Sequence, residues 1–205
     1  MTARRATGGG EVMQPWRTLE SEVVLDHPVL RVDKVLRRKG QEPPHRFVVL
    51  SSPDWVNVIP VTPEGQVVLI RQWRHGTGET TLEIPGGLID PGESPQQAAA
   101  RELREETGYA AERLVPLGSV RPNPALFDNT CYTFLAPDAR LAGATDLDAT
   151  EDIEVVTVEL TRLADMVRSG EIDHCIVVAA LTFLWLRAPE LAAEGAFMPF
   201  SGRDL

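Results

Sequence analysis

Glu102, Glu105 and Glu106 stand at i, i+3 and i+4 in a stretch that reads as helix, so their carboxylates share one face. Like charges stacked this way repel one another and weaken an isolated helix. Arg101 and Arg104 offset only part of that repulsion. A cluster of hard oxygen ligands is what Mg²⁺ or Mn²⁺ needs, and a bound divalent ion relieves the strain. The chemistry within reach is metal-assisted attack on an anionic substrate by water whose pKa the metal lowers. A solvated acidic helix face is the plain alternative, so the surroundings must decide.

Those surroundings hold the acids in one register. Asp90-Pro91-Gly92 has turn chemistry, Pro presetting φ and Gly admitting a positive one. Ser94 reads as an N-cap, Pro95 as the first helical residue and Gln97 as the return arm of a capping box. Gly108 suits the C′ position, which predicts a helix over 95–107. Ala99 and Leu103 fall on another face and are expected to pack inward. A Gly-rich turn, a capped helix and three carboxylates together favour the metal reading over the solvated face.

With Gly87, Glu93 and the run Arg101-Glu102-Leu103-Arg104-Glu105-Glu106-Thr107-Gly108-Tyr109 in place, the stretch resembles the Nudix box at every defining position. The resemblance implies an α/β (α+β) chain with the Nudix fold, a mixed sheet sandwiched between helices. It implies hydrolysis of a nucleoside diphosphate linked to another group, with Mg²⁺ or Mn²⁺ held by Glu102, Glu105 and Glu106 and by the carbonyl of Gly86 or Gly87. Glu93 is expected to orient the box and Arg101 to hold the glutamates rather than touch substrate.

The approach to the box, VVLIRQWRHGTGETTLEIPGG, is similar to that of ADP-ribose and ADP-sugar pyrophosphatases. That likeness implies ADP-ribose as substrate, with AMP and ribose 5-phosphate as products. GDP-mannose, a dinucleoside polyphosphate or coenzyme A are the alternatives, since nothing in the sequence reads the base. A silent nucleotide-binding regulator is a further one, which the intact box disfavours. Arg71 and Arg74 lie on opposite faces of one strand, and either can offer a two-pronged grip to phosphate. Glu83 is a site candidate through the resemblance alone, and so is Pro124, a proline the subfamily places downstream of the box. The likeness also implies a general base in a loop before the last core strand. Glu151 is the only Glu of that segment, DLDATED, with Asp148 and Asp152 as alternatives.

Composition bounds the partners. The formal charge of −10 argues against non-specific binding to nucleic acid or an anionic membrane, while a metal can still bridge an anionic small substrate. The two cysteines, Cys131 and Cys175, have no metal-binding spacing and sit in apolar sequence, so buried thiols in a reducing cytoplasm are expected. No secretory signal and no apolar run long enough for a membrane span is legible.

In chain order, a disordered lead-in over 1–15 is expected. Then comes an antiparallel β-region over 16–52, broken at Asp26-His27-Pro28, which the resemblance makes a dimerisation element. The hydrolase domain is placed at 53–193 and a loose tail at 194–205. Within the domain, strands at 56–61 and 67–73 are read as a hairpin turning at Thr62-Pro63-Glu64-Gly65. Strands are expected again at 114–120, 130–135 and 153–160. Thr161 is read as the cap of a helix ending at Ser169, and Asp173 as the cap of an apolar, wholly buried helix over 176–187.

Overall fold

The computed structural model describes residues 13–195. Most of the expected lead-in and tail therefore lies outside the described residues. The chain divides after Ser51 into two compact units.

The first unit is an antiparallel sheet in the order β1-β2-β3, formed by β1 (Trp16–His27), β2 (Leu30–Lys39) and β3 (His45–Ser51). The break at His27-Pro28 is the turn of the β1–β2 hairpin. β1 carries two bulges, after which pairing resumes with Leu19 and Val24 left over. Bulges of this kind increase strand twist. All of β1 is exposed, including Val23, Val24 and Leu25. Trp16 stands edge-on to Phe47 with ring centroids 5.3 Å apart. Asp33 is buried and receives both Nε and Nη2 of Arg31, at 2.9 and 3.0 Å.

The second unit is mixed α and β. Its strands are β4 (Trp55–Pro60), β5 (Gln66–Arg74), β6 (Glu79–Glu83), β7 (Gly86–Leu88), β8 (Tyr109–Ala110), β9 (Val115–Val120), β10 (Cys131–Ala136), β11 (Arg140–Leu141) and β12 (Ile153–Glu159). Its helices are α1 (Pro95–Thr107), α2 (Leu163–Ser169) and α3 (Cys175–Ala193). One sheet runs β7-β4-β10-β9 with β4 and β10 parallel, and a second runs β12-β5-β6. β8 and β11 pair with each other.

β4 and β5 are not the hairpin that their spacing predicts. A single bridge, Val61 to Val67, joins them before each enters a different sheet. β4 and the Val67–Ile70 half of β5 are almost entirely buried, so these segments have neighbours on both faces, and alternation of polar and apolar residues there could not reveal which strand pairs with which.

The β4 side chains alternate between two cores. Val56 and Val58 meet Ala98, Ala99 and Leu103 of α1. Ile59 belongs with Leu135 and with Val177, Leu181 and Leu184 of α3. The sheet therefore lies between helices, as the Nudix resemblance implies. Truncating a fully buried leucine such as Leu103 removes about 2–5 kcal/mol of stability.

Several local expectations need correction. A 3₁₀ turn over Leu160–Arg162 replaces the Thr161 cap, and α2 starts at Leu163 with no side-chain cap. α3 begins after His174 rather than Asp173 and extends through Pro189 to Ala193. It is long and apolar enough to cross a bilayer by length and composition. Only a stripe of it is buried, including Val177, Leu181, Leu184 and Leu191, while Leu186 is 71 % exposed. Cys131 is buried as expected, and burial pushes its thiol up to about 12, but Cys175 at the helix start is exposed.

Candidate active site

α1 forms as its sequence dictates. The Ser94 side chain accepts from the Gln97 amide, and the Gln97 side chain accepts from the Ser94 amide at 2.9 Å. Gly108 closes the helix at φ 73°, a left-handed conformation that favours glycine. It has a second role. A Cβ there would lie 2.4 Å from the Gly143 carbonyl oxygen, and the Gly108 carbonyl accepts from the Ala142 and Gly143 amides. The Asp146 amide also donates to the Glu105 carbonyl at 2.8 Å. The end of the helix is thus the dock for the acidic loop that carries Glu151.

The box glutamates are not equivalent. Glu102 and Glu106 are buried, and Glu105 is partly exposed. Glu106 accepts from the Gly86 amide at 2.7 Å. Burial, reinforced by the charges of Glu102 and Glu151 and only partly countered by that amide, pushes the Glu106 carboxyl up to about 8. Burial also raises Glu102, against the pull of Arg101. Glu102 packs on bare backbone, since a Cβ on Gly87 would meet its Oε1 at 2.4 Å. Gly86 is equally tight, its absent Cβ lying 2.3 Å from the Val56 carbonyl oxygen. The two glycines bring the loop against the acids and against β4.

Arg101 binds the group together. It donates to Glu93 at 3.0 and 3.1 Å, to Glu102 at 2.8 Å, to Glu105 at 3.1 Å and to the Leu88 carbonyl at 2.9 Å. Bonding to Glu93 first, then to Glu102 and Glu105, raises the guanidinium further above its usual range. Glu93 also accepts from the Asp90 amide, and its bond with Arg101 holds its carboxyl below the usual carboxylate range.

Among the described residues, no three His, Cys, Asp or Glu side chains converge closely enough to hold one ion. Glu102, Glu105 and Glu106 are therefore not a preassembled ligand set. Arg101 engages two of them, and the Gly86 amide engages the third. The donor chemistry nevertheless fits a hard divalent cation. Buried carboxylates with raised pKa values, coupled to each other and to Glu151, are groups whose ionised forms a cation would stabilise.

Arg74 is the cation that completes this cluster. It forks onto Glu83 through Nε at 2.7 Å and Nη2 at 2.6 Å, and the Thr81 hydroxyl donates to the same carboxylate at 2.6 Å. Burial alone would raise Glu83, but the bonds from Arg74 and Thr81 outweigh it and hold the carboxyl below its usual range. Arg74 is further raised by the nearby charges of Glu106 and Glu151. Glu151 itself accepts from the Asp148 amide at 2.9 Å, which tightens its own turn.

Two sequence candidates are not brought to this group. Arg71, on the other face of β5, pairs with exposed Glu154 across the β12 ladder at 3.1 Å. Pro124 sits exposed in the turn where the Asn123 carbonyl accepts from the Leu126 and Phe127 amides. The reverse also occurs. His174 and Asn57, neither of them a sequence candidate, lie at the site's edge. Asn57 Nδ2 donates to the Ile176 carbonyl at 3.4 Å, and His174 Nδ1 stands 3.6 Å from Glu83. No spacing in the chain could have linked residues so far apart.

The NUDIX domain pattern matches residues 52–175. An ADP-ribose pyrophosphatase of Bacillus subtilis (strain 168) is 34 % identical over 140 residues, covering 68 % of this chain and 76 % of that protein. A methanol dehydrogenase activator of Bacillus methanolicus is 29 % identical over 174 residues, covering 83 % of this chain and 93 % of that protein. A crystal structure of an ADP compounds hydrolase superposes with a TM-score of 0.78 at 25 % identity, covering 91 % of this chain and all of that one.

Proposed function

The chain belongs to the NUDIX family, and on that premise we propose that it cleaves the pyrophosphate of ADP-ribose to give AMP and ribose 5-phosphate. The carrying observation is the buried pair Glu102 and Glu106 coupled to Glu151 on one side and to the Arg74–Glu83 fork on the other. Carboxylates this buried are costly unless a cation or a proton compensates them. The similarity to ADP-ribose pyrophosphatases and to an ADP compounds hydrolase supports the adenine-nucleotide reading.

Members of the family use divalent metal. Glu102, Glu105 and Glu106 would hold it here, with the Gly86 carbonyl as a further oxygen, and Mg²⁺ or Mn²⁺ is the ion we assign. When bound, it neutralises phosphate charge and lowers the pKa of water. The chain's own groups do the rest. Arg74 presents its guanidinium to the diphosphate, with Glu83 fixing its plane. Arg101 keeps Glu102 and Glu105 in register through Glu93 and the Leu88 carbonyl. Glu151 takes the proton from the attacking water. Pro124, exposed in its loop, is kept only as a subfamily marker.

A panel of ADP-ribose, GDP-mannose, diadenosine polyphosphate and coenzyme A, each with Mg²⁺, tests the reading. ADP-ribose should give AMP with the largest kcat/KM, and chelator should abolish turnover. A larger value for any competitor would reject the assignment, and full activity in EDTA would reject the metal. We also assign the first unit to pairing with a second copy of the chain, because β1 is the edge strand of its sheet and exposes Trp16, Leu19, Val23, Val24 and Leu25 over its two faces.

A further inference from the structure

Glu83 is 2 % exposed, and its carboxylate is approached from two elements. Arg74 of β5 forks onto it from one side. From the other, His174 at the start of α3 places Nδ1 3.6 Å from Glu83 Oε2. That nitrogen is itself buried and makes no hydrogen bond, although the imidazole as a whole is 30 % exposed. His174 occupies the N-cap position of α3, yet its side chain makes no capping bond. The ring is therefore not serving its own helix. Asn57 of β4 fixes the same end of α3 through the Ile176 carbonyl, so the imidazole is carried on an anchored element.

Two of the Arg74 nitrogens, Nε and Nη2, are spent on Glu83, and the side chain is 39 % exposed. An arriving diphosphate must share this guanidinium. When it does, Glu83 loses part of its compensation in a place that water does not reach. The Thr81 hydroxyl stays on Oε1, but among the described residues Oε2 has no hydrogen-bond donor other than Arg74. A buried carboxylate oxygen left short of donors is costly, so a further donor within reach of Oε2 has something to do.

We propose that His174 is a positioning residue, whose Nδ1–H closes onto Glu83 Oε2 when Arg74 engages the substrate and so holds the Arg74–Glu83 fork at the diphosphate. The assignment rests on the proposed role of Arg74. It deepens that role by naming what secures its partner. Hydrogen bonds around a reacting site commonly tighten in the substrate complex. Because Arg74 would grip the diphosphate in ground and transition states alike, the effect belongs mainly in KM rather than kcat.

The test uses the full chain and the panel nucleotide that the wild type cleaves fastest, ADP-ribose on our reading. His174→Ala should raise KM about tenfold and leave kcat within about twofold. His174→Asn, whose Nδ2 can stand where Nδ1 stood, should restore KM to within about twofold. His174→Ser is the control for the helix start. Serine is a good N-cap but too short to reach Glu83, so it should hold or raise Tm while KM stays as high as in the alanine variant. The double variant Arg74→Ala/His174→Ala should be no worse than Arg74→Ala alone, because both act through one carboxylate. A KM within twofold of wild type in His174→Ala, or restored by serine, overturns the role of His174. If Arg74→Ala leaves KM unchanged, the phosphate grip and the role built on it fall together. If Arg74→Ala raises KM and His174→Ala does not, only the latter falls.

Discussion

The two units break the usual rule of burial in opposite directions. In the first, a twelve-residue strand leaves every side chain exposed, Trp16 and three consecutive aliphatics, Val23 to Leu25, among them. In the second, most apolar residues are packed away, Leu141 and Leu186 among the exceptions, but so are the carboxylates of Glu83, Glu102 and Glu106. Folding alone explains neither. Apolar area left in water forgoes about 25 cal/mol per Å², and a buried charge requires compensation. Each departure marks a place where something outside the chain is expected to complete the structure: a second copy on the exposed sheet, and a cation with an anionic substrate at the buried acids.

The largest effect should come from the most costly of those acids. Glu106→Gln keeps size and helix propensity but removes the charge. It should lower kcat/KM by roughly a thousandfold or more, about 4 kcal/mol of barrier. In chelator the same variant should be at least as stable as wild type. The sign follows from the raised pKa. Unfolded Glu106 ionises near the ordinary carboxylate value, while the folded group holds its proton to about 8. Stability from this group is therefore complete at low pH and is lost as pH rises towards 8. The Tm of wild type in EDTA should fall between pH 5 and 8, and Glu106→Gln should flatten most of that fall. A fully active Glu106→Gln enzyme would remove the box from the catalytic centre.

Glu151 should come next. Glu151→Gln should lower kcat by about a hundredfold while Mn²⁺ affinity survives, which is the pattern of a lost general base. A change below threefold would return the role to Asp148, Asp152 or a box glutamate.

On the exposed side of the comparison, the wild-type chain should scatter light at twice the 22.5 kDa monomer mass at micromolar concentration. Val23→Lys/Leu25→Lys should shift it to the monomer, because the bulge at Val24 puts one charge on each face of this edge strand, and charged edges oppose strand pairing. A wild-type mass of 22.5 kDa would end the dimer reading.

What was legible in the sequence was what is local. α1 runs over 95–107 with its capping box and Gly108 terminus because all of those signals lie within one stretch. Glu93, Arg101 and the three glutamates are close in sequence and come together in space. What was not legible depends on distant partners. The sheets entered by β4 and β5 depend on β10 and β12, partners far along the chain, and no local signal in either strand points to them. Cys175 sits in an apolar run but ends up exposed, because only one stripe of α3 faces the core. His174 and Glu83 meet only after β6 and α3 have packed, so neither residue announces the other.

The smallest effect is also the sharpest control. Arg71 and Arg74 lie on opposite faces of the same strand, and guanidinium chemistry alone made both candidates for phosphate. The fold separates them. Arg74 meets a carboxylate that is 2 % exposed, whereas Arg71 meets Glu154, whose side chain is 67 % exposed, with its own at 46 %. An ion pair so open to water is worth about 0–1 kcal/mol, since solvent screens it and two long side chains must be ordered to form it. Arg71→Ala should therefore change Tm by no more than a degree or two and alter KM for ADP-ribose by less than about twofold. Arg74→Ala, by contrast, leaves Glu83 buried without its fork and should weaken both stability and substrate binding. If the two variants raised KM alike, burial would not be what distinguishes a working arginine from a surface one on this strand. Arg71 would then have to leave Glu154 for the substrate, and the site would extend over both faces of β5.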